Sequence, residues 1–260
     1  MGKIIAISSG KGGTGKTTSV AAISSCLAVL GHRTLCIDFD LGLNNLDLAL
    51  CMADYSIADF MDVAEGKLSL TNACREHDQM RGLFFLSAPP TDAHIDLEME
   101  ALNLMFNEIK KTFDFCIIDT PAGTGNGFQL AHRYANMSIV VSTGDVTSIR
   151  DAQRSVEAVR EHGNVKDIRL LVNRAHPSNF KFMQKSIDDI INTIGVRLIG
   201  VVSEDKAVFR AMHSGVPLVL FRKRLAAYDY LDVARRILGE DIPLAQASTR
   251  ARLRQSGVFG

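Results

Sequence analysis

Residues 10–17, which read G-K-G-G-T-G-K-T, have the types and spacing of a loop that binds phosphate. They match the pattern G-x-x-x-x-G-K-[ST], in which backbone N–H groups point into one concavity, Lys16 reaches the β- and γ-phosphates of a nucleotide, and the hydroxyl of Thr17 contacts Mg²⁺. The apolar run 4–7 predicts a strand before the loop, and the helix predicted from Ser19 to Leu30 adds its positive N-terminal end to the site. A glycine-rich turn that matched by chance would not explain why strand, glycine spacing, lysine and threonine all agree.

Lys11, the second residue of this loop, is not needed to bind a nucleotide. With it the loop reads G-K-G-G-T-G-K-T-T, which resembles the deviant Walker A box of the MinD/ParA family of dimeric ATPases. In that family the extra lysine crosses the dimer interface to the partner's nucleotide. The resemblance implies ATP and Mg²⁺ as ligands, a homodimer in the ATP state, and catalytic roles for Lys11 and Lys16. The residues that it assigns to the phosphate side of the nucleotide are Gly10, Lys11, Gly12, Gly13, Thr14, Gly15, Lys16, Thr17 and Thr18.

Two carboxylates, Asp38 and Asp40, follow the second predicted strand at 34–37. Carboxylates at the C-terminal end of a parallel strand face the ligand crevice. The resemblance implies that Asp38 lies near Mg²⁺ and its waters, and that Asp40 has a catalytic role in orienting or activating the attacking water. A solvated turn or a helix cap is the alternative. The run G-L-N-N-L-D at 42–47, which is similar to that of the MinD branch of the family, favours the catalytic interpretation.

Another predicted apolar strand, 115–118, ends in Asp119 and is followed by T-P-A-G. A buried strand that delivers a carboxylate to the phosphate end of a sheet can hold Mg²⁺ through water, and glycines beyond it let a loop follow the γ-phosphate. A core strand capped by a turn aspartate is the alternative, which the phosphate loop upstream disfavours. The segment D-T-P-A-G also resembles the Walker B region of the family. The predicted metal-binding residues are therefore Thr17, Asp38 and Asp119.

Four residues are predicted to bind the nucleoside. Asn173 follows a strand at 170–172, and His176 stands where a guanine-reading N-K-x-D motif needs a carboxylate. Because an asparagine amide can still bond N6 and N7 of adenine, the sequence predicts ATP rather than GTP. The segment S-E-D at 203–205, with G-V-P ten residues later, resembles the adenine-side loop of the family with serine in place of the usual proline. The predicted residues are Asn173, Arg174, Glu204 and Asp205.

The remaining elements follow from apolar periodicity and from capping residues. Further strands are predicted at 83–86, 139–141 and 199–202, and further helices at Ser56–Glu65, Glu98–Thr112, Asn179–Ile194 and Arg224–Leu238. Ser148 is the predicted N-cap of another helix, which the resemblance places beside the dimer and partner surface. His77 and His94 are predicted to be surface residues.

We therefore predict an α/β chain with the three-layer P-loop NTPase fold. Its mostly parallel central sheet has about seven strands flanked by helices. One ATPase domain is predicted at 1–244, followed by a basic tail at 245–260.

Composition limits the class of protein. The 260 residues are 47% hydrophobic, which is enough for a substantial core, and the 29 basic and 29 acidic side chains cancel. Binding to nucleic acid or to an anionic membrane would therefore need a local patch. Five cysteines without C-x-x-C spacing predict reduced thiols. The N-terminus lacks the pattern of a signal peptide, and no apolar run approaches the roughly 20 residues of a membrane-spanning helix, so we expect a cytoplasmic protein.

The tail at 245–260 contains Arg250, Arg252 and Arg254 but few large apolar groups. MinD proteins usually end in an amphipathic helix that docks on the membrane once the dimer forms, whereas the apolar positions here do not form a stripe. Two copies in a dimer could combine weak contacts through effective concentration. This predicts dimer-dependent peripheral contact with the inner face of the cell membrane, and a tail without a membrane role is the alternative.

The implied function is slow ATP hydrolysis coupled to a monomer–dimer switch for the spatial regulation of cell division, with a regulatory partner of the MinC or MinE type. A ParA-type partition ATPase or a flagellar-number ATPase is the alternative within the family. Partition needs a basic stripe, and the clusters 222–224 and 235–236 are more simply solvated helix residues, so DNA is the less favoured partner. Iron–sulfur reductases and cluster carriers are disfavoured because no cysteine follows the strand that ends in Asp119.

Overall fold

The computed structural model describes residues 1–40, 45–52, 58–89, 98–162, 165–175, 180–221 and 225–244. The described strands are β1 (Lys3–Ser8), β2 (Thr34–Asp38), β3 (Arg75–His77), β4 (Met80–Leu86), β5 (Phe115–Asp119), β6 (Met137–Ser142), β7 (Asp167–Ala175) and β8 (Arg197–Ser203). The described helices are α1 (Lys16–Val29), α2 (Leu46–Ala49), α3 (Phe60–Ala64), α4 (Leu70–Ala73), α5 (Met99–Thr112), α6 (Asn126–Tyr134), α7 (Val146–His162), α8 (Phe180–Ile194), α9 (Lys206–Ser214) and α10 (Leu225–Ile237).

One sheet contains these strands, in the order β3-β4-β2-β5-β1-β6-β7-β8. All of its pairings are parallel except that of β3 with β4. Every residue of β2, β5 and β6 is buried, which is typical of parallel strands covered on both faces. Because β1 lies between β5 and β6, the loop that follows it enters the middle of the carboxyl edge of the sheet.

Helices cover both faces of the sheet. Ile5 and Ile7 of β1 belong to a core cluster that contains α1 and α10, whereas Ile4 and Ala6 belong to a second cluster that contains α5 and α6. This division follows from the alternation of side chains along a strand. The predicted three-layer α/β fold with a mostly parallel sheet is confirmed. Within the described part of the chain, no helix combines the length and the apolar character needed to cross a membrane.

The sheet exceeds the predicted number of strands because of β3. This strand has only three residues, R-E-H, and pairs antiparallel with β4 at the edge of the sheet. Edge strands are often short and polar, so an apolar pattern cannot indicate them. The prediction of His77 as a surface residue is also wrong, because its ring is buried and bonds the carbonyl oxygen of Leu50 at 3.0 Å and the N–H of Gln79 at 3.0 Å.

Three predicted helix starts are wrong: α1 begins at Lys16, three residues before Ser19, and in the other two cases an aspartate caps the helix. α3 begins at Phe60, because the carboxylate of Asp59 accepts from the backbone N–H groups of Met61 and Asp62. α7 begins two residues before Ser148, whose N–H donates to Asp145 Oδ1 at 2.9 Å. Several residues named above lie outside the described part of the chain: 42–44, Ser56, His94, His176, Asn179, 222–224 and 245–260.

Candidate functional site

The loop between β1 and α1 ends at Gly15, whose backbone is left-handed with φ 87° and ψ 28°. Glycine adopts this conformation without the steric cost of a Cβ. No side chain caps α1, and the N–H groups of a helix's first turn have no partner within the helix. Together with the positive end of the helix dipole, these groups favour an anion. The hydroxyl of Thr14 is also buried and has no hydrogen-bond partner among the described residues.

The glycines of the phosphate loop differ in how close other atoms of the protein lie to them. A Cβ on Gly10 would lie 2.4 Å from the carbonyl oxygen of Asp151 in α7, and one on Gly15 would lie 2.2 Å from Asn173 Nδ2. In contrast, nothing described lies within 4 Å of a Cβ built on Gly12 or Gly13. Glycine is therefore needed at the ends of the loop for packing against the protein, while the middle of the loop faces open space.

The predicted catalytic and metal-binding carboxylates converge on Lys16. Asp38 and Asp119 are register partners at the carboxyl ends of β2 and β5. The amine of Lys16, a residue only 7% exposed, forms an ion pair with Asp119 and lies 3.8 Å from Asp40 Oδ2. The carboxylate of Asp38 accepts from the N–H of Asp40 at 2.8 Å. The structure thus brings together residues from three segments that are well separated in the sequence.

These carboxylates suit a divalent cation. Burial, followed by the negative charge of Asp119, raises the pKa of Asp38 to about 7. Burial also raises the pKa of Asp119, although the charge of Lys16 and the hydroxyl of Thr17 oppose this. Oxygen donors are those that Mg²⁺ prefers, and Mg²⁺ usually takes one or two carboxylates together with waters and substrate phosphates. The described residues contain no cluster of three or more His, Cys, Asp and Glu side chains that could hold a metal.

The residues predicted to bind the nucleoside meet at the ends of β7 and β8. Arg174 is left-handed at φ 56°, within a shift of register between Val172 and Ala175. A bulge of this kind redirects side chains near functional sites. The guanidinium of Arg174 bonds Glu204 Oε1 at 3.2 Å and lies 3.5 Å from the carbonyl oxygen of Gly13. The Asp205 carboxylate caps α9 by accepting from the N–H of Ala207 at 2.8 Å.

Asn173 is only 4% exposed, and its side-chain amide lies under the phosphate loop. Its Nδ2 donates to the carbonyl oxygen of Thr14 at 2.8 Å. The predicted reader of the base is thus also a support of the loop, which the sequence pattern does not reveal.

Lys11 lies at the rim, with 37% of its side chain exposed. Its amine bonds Asp145 Oδ1 at 3.0 Å and Thr147 Oγ1 at 2.9 Å, so it contacts the start of α7 in its own chain. The hydroxyls of Thr143 and Thr147 and the N–H of Ser148 hold the pKa of Asp145 well below its usual range. The sequence does not identify Asp145 as a partner of Lys11, although an aspartate three residues before Ser148 is a recognisable cap.

A parallel sheet with a phosphate loop after its central strand and carboxylates at the same edge defines a P-loop nucleotide-binding protein. Residues 5–218 match the CobQ/CobB/MinD/ParA nucleotide binding domain, and the chain belongs to that family. Within it, the chain is 37% identical over 246 residues to the septum site-determining protein MinD of Bacillus subtilis, a match that covers 94% of this chain and 92% of the relative. The predicted membership of the MinD/ParA family, with similarity to MinD proteins, is confirmed.

Solved structures agree with this assignment. The MinC:MinD cell division protein complex of Aquifex aeolicus contains a chain 33% identical to this one, with a TM-score of 0.84 and coverage of 94% of this chain and 98% of that chain. The septum site-determining protein MinD complexed with Mg-ADP from Pyrococcus horikoshii is 25% identical, with a TM-score of 0.77 and coverage of 93% and 100%.

Proposed function

We propose that this protein is a slow Mg·ATP-hydrolysing ATPase that alternates between a monomer and an ATP-sandwich dimer in the spatial regulation of cell division. The observation that carries the proposal is the contrast between the two lysines of one loop. Lys16 is buried among carboxylates, whereas Lys11 is exposed at the rim and bonded to α7. A lysine inside the crevice suits its own nucleotide, and one at the rim suits a nucleotide held by another copy.

Binding depends on groups that the fold already holds in place. The backbone N–H groups around Gly15 and the amine of Lys16 would hold the phosphates, and Thr17, Asp38 and Asp119 would hold Mg²⁺ directly or through water. Bound Mg²⁺ supplies neutralisation of phosphate charge. The residues assigned to the nucleoside are Asn173, Arg174, Glu204 and Asp205.

Asp40 is the best candidate for handling the attacking water. Its carboxylate is 22% exposed and its backbone N–H donates to Asp38, so it lies beside the predicted metal site without being buried in it. A carboxylate in this position can orient a water molecule and accept its proton. Most of the rate enhancement would come from positioning and from the charges of Lys16, Mg²⁺ and the partner's Lys11.

The proposed partners follow from the relatives. Because one relative was solved as a MinC:MinD complex, a regulatory protein of the MinC or MinE type is the proposed partner. We also propose that the chain resides in the cytoplasm and that the tail at 245–260 contacts the membrane only in the dimer. The segment just before that tail is held to the sheet by Arg236 of α10. The guanidinium of Arg236 donates to the carbonyl oxygens of Ile242 and Pro243 and to that of Ile199 in β8.

The proposal is tested by light scattering after gel filtration, with Mg·ATP or Mg·ADP, on the parent and on two matched variants of the loop. The parent should form a dimer with Mg·ATP only. Lys16→Ala should fail to bind either nucleotide, whereas Lys11→Ala should bind within a few-fold of the parent and remain a monomer. If Lys11→Ala dimerises and hydrolyses ATP like the parent, the proposed switch is wrong. Flotation of the same samples with anionic liposomes tests the membrane step, and sedimentation with plasmid DNA tests the partition alternative.

A further inference from the structure

Tyr230 of α10 carries a hydroxyl group into the core beside the phosphate loop. The residue is 1% exposed and belongs to the apolar cluster between α1, α10 and the sheet. Its oxygen lies 3.0 Å from Ser19 Oγ in α1 and 3.4 Å from Asn173 Oδ1 at the end of β7. A buried hydroxyl is unfavourable unless it is hydrogen-bonded, so these two contacts determine what the tyrosine can do there.

Each partner of Tyr230 holds one carbonyl group of the phosphate loop. Asn173 Nδ2 donates to the carbonyl oxygen of Thr14 at 2.8 Å, and Ser19 Oγ donates to that of Gly15 at 2.8 Å. A carbonyl oxygen can only accept, which fixes the orientation of the Asn173 amide and turns its Oδ1 toward Tyr230. The phenol therefore contacts both side chains that hold two consecutive peptide groups. Because Ser19 donates its proton to Gly15, the single phenolic proton goes to either Ser19 Oγ or Asn173 Oδ1.

The direction of these peptide groups decides where the loop presents its donors. Described peptide bonds are all trans, and in a trans peptide the N–H points away from the C=O of the preceding residue in the same plane. Holding the carbonyls of Thr14 and Gly15 therefore fixes the N–H groups of Gly15 and Lys16 on the opposite side. Those two N–H groups lie at the start of α1, where an anion is favoured.

We propose that Tyr230 is a positioning residue for the nucleotide phosphates, acting through Asn173 and Ser19 on the peptide groups between Thr14 and Lys16. The role rests on the proposed function, because it presupposes that the loop binds a nucleotide. In this role Tyr230 makes α10 part of the nucleotide site. The phenol then affects binding of the phosphates rather than binding of the base.

The test is the affinity of Tyr230→Phe for Mg·ADP, measured by isothermal titration calorimetry. Phenylalanine keeps the packing and removes only the hydroxyl. We expect affinity to fall by about three- to tenfold, the value of one ordinary hydrogen bond. Affinity for Mg·pyrophosphate, which has no base, should fall by a similar factor, because Tyr230 acts on the loop that binds the phosphates. Tyr228→Phe removes the hydroxyl of another buried tyrosine of the same helix and should leave both affinities within about twofold of the parent's.

A double-mutant cycle separates positioning from general loosening of the core. The loss caused by Tyr230→Phe should shrink in an Asn173→Ala or a Ser19→Ala background, whichever removes the acceptor of the phenolic proton. Asn173→Ser serves if the alanine variant does not fold. Equal affinities of the parent and Tyr230→Phe, an equal loss for Tyr228→Phe, or full additivity in both backgrounds would overturn the role. A parent that binds neither Mg·ADP nor Mg·pyrophosphate would instead contradict the proposed function, and this role with it.

Discussion

Lys11 and Asp145 form an ion pair of 3.0 Å between the phosphate loop and the start of α7, although 134 positions separate them in the sequence. The lysine that the family resemblance assigns to a partner's nucleotide is thus bonded within its own chain. This pair must open before Lys11 can reach another subunit. Both side chains are substantially exposed, and exposed ion pairs contribute only about 0–1 kcal/mol, so a nucleotide phosphate can compete for the lysine.

Asp145→Asn should shift the monomer–dimer equilibrium toward the dimer in Mg·ATP. The asparagine oxygen can still accept from Ser148 N–H and cap α7, while the charge that holds Lys11 is lost. We expect the dimer dissociation constant to fall by up to about fivefold for each subunit, in line with a surface ion pair. Light scattering over a protein dilution series measures this. Glu65→Gln, which removes an exposed ion pair with Lys67, is the control and should not change dimerisation. A dimer weakened by Asp145→Asn would contradict the prediction.

Asp40→Ala should separate nucleotide binding from hydrolysis. Lys16 keeps its ion pair with Asp119 when its longer contact with Asp40 is removed, so binding and dimerisation should persist. Hydrolysis should fall by about two to four orders of magnitude, the range for a lost general base or positioning group. Phosphate release under single-turnover conditions measures the rate, and titration with Mg·ADP checks binding. An unchanged rate would remove Asp40 from the mechanism.

Adenine nucleotides should bind better than guanine nucleotides. A guanine-reading N-K-x-D motif uses the carboxylate at its fourth position to pair with the guanine amine, and this chain has His176 at that position. We expect ADP to bind about tenfold or more tightly than GDP, as one well-made hydrogen bond allows. Asn173→Ala should weaken both nucleotides, because the amide supports the carbonyl group of Thr14. Equal affinities of the parent for ADP and GDP would contradict the prediction.

Stability should depend on pH through His132 of α6. Its Nδ1 bonds the Phe128 carbonyl oxygen at 2.7 Å, Nε2 bonds Ser138 Oγ at 2.9 Å, and burial lowers its pKa from 6.5 to about 4. The unfolded chain therefore binds a proton more readily than the folded chain between these values. The contribution of His132 is complete above pH 6.5 and is lost as the pH falls toward 4, by up to about 3 kcal/mol.

Urea unfolding of the parent and of His132→Gln at several pH values from 7 to 4 tests this. The difference in unfolding free energy between the two proteins should shrink as the pH falls, because the other titrating groups cancel. His213→Gln, which replaces an exposed histidine of α9, is the control. A difference that is constant with pH would contradict the assignment.

The sequence by itself predicts the features that are formed by consecutive residues, namely the phosphate loop and the strands beside it. Residues 10–17 identify a phosphate loop because its backbone course requires those glycines and that lysine in one short segment. The apolar runs that end at Asp38 and Asp119 predict parallel strands and place both carboxylates at one edge, since the carboxyl ends of such strands meet there. Fold, family and most of the predicted site are accessible in this way.

Tertiary structure decided which distant groups meet. Asn173 supports Thr14, Tyr230 contacts Ser19 and Asn173, and Lys11 bonds Asp145, and no spacing in the sequence indicates these contacts. The burial of His77 and the pairing of β3 likewise depend on the elements that pack over them. Apolar periodicity indicates which face of a helix or strand is buried. A hydrogen bond between distant segments also depends on how the packed elements are oriented and spaced, which the periodicity does not indicate.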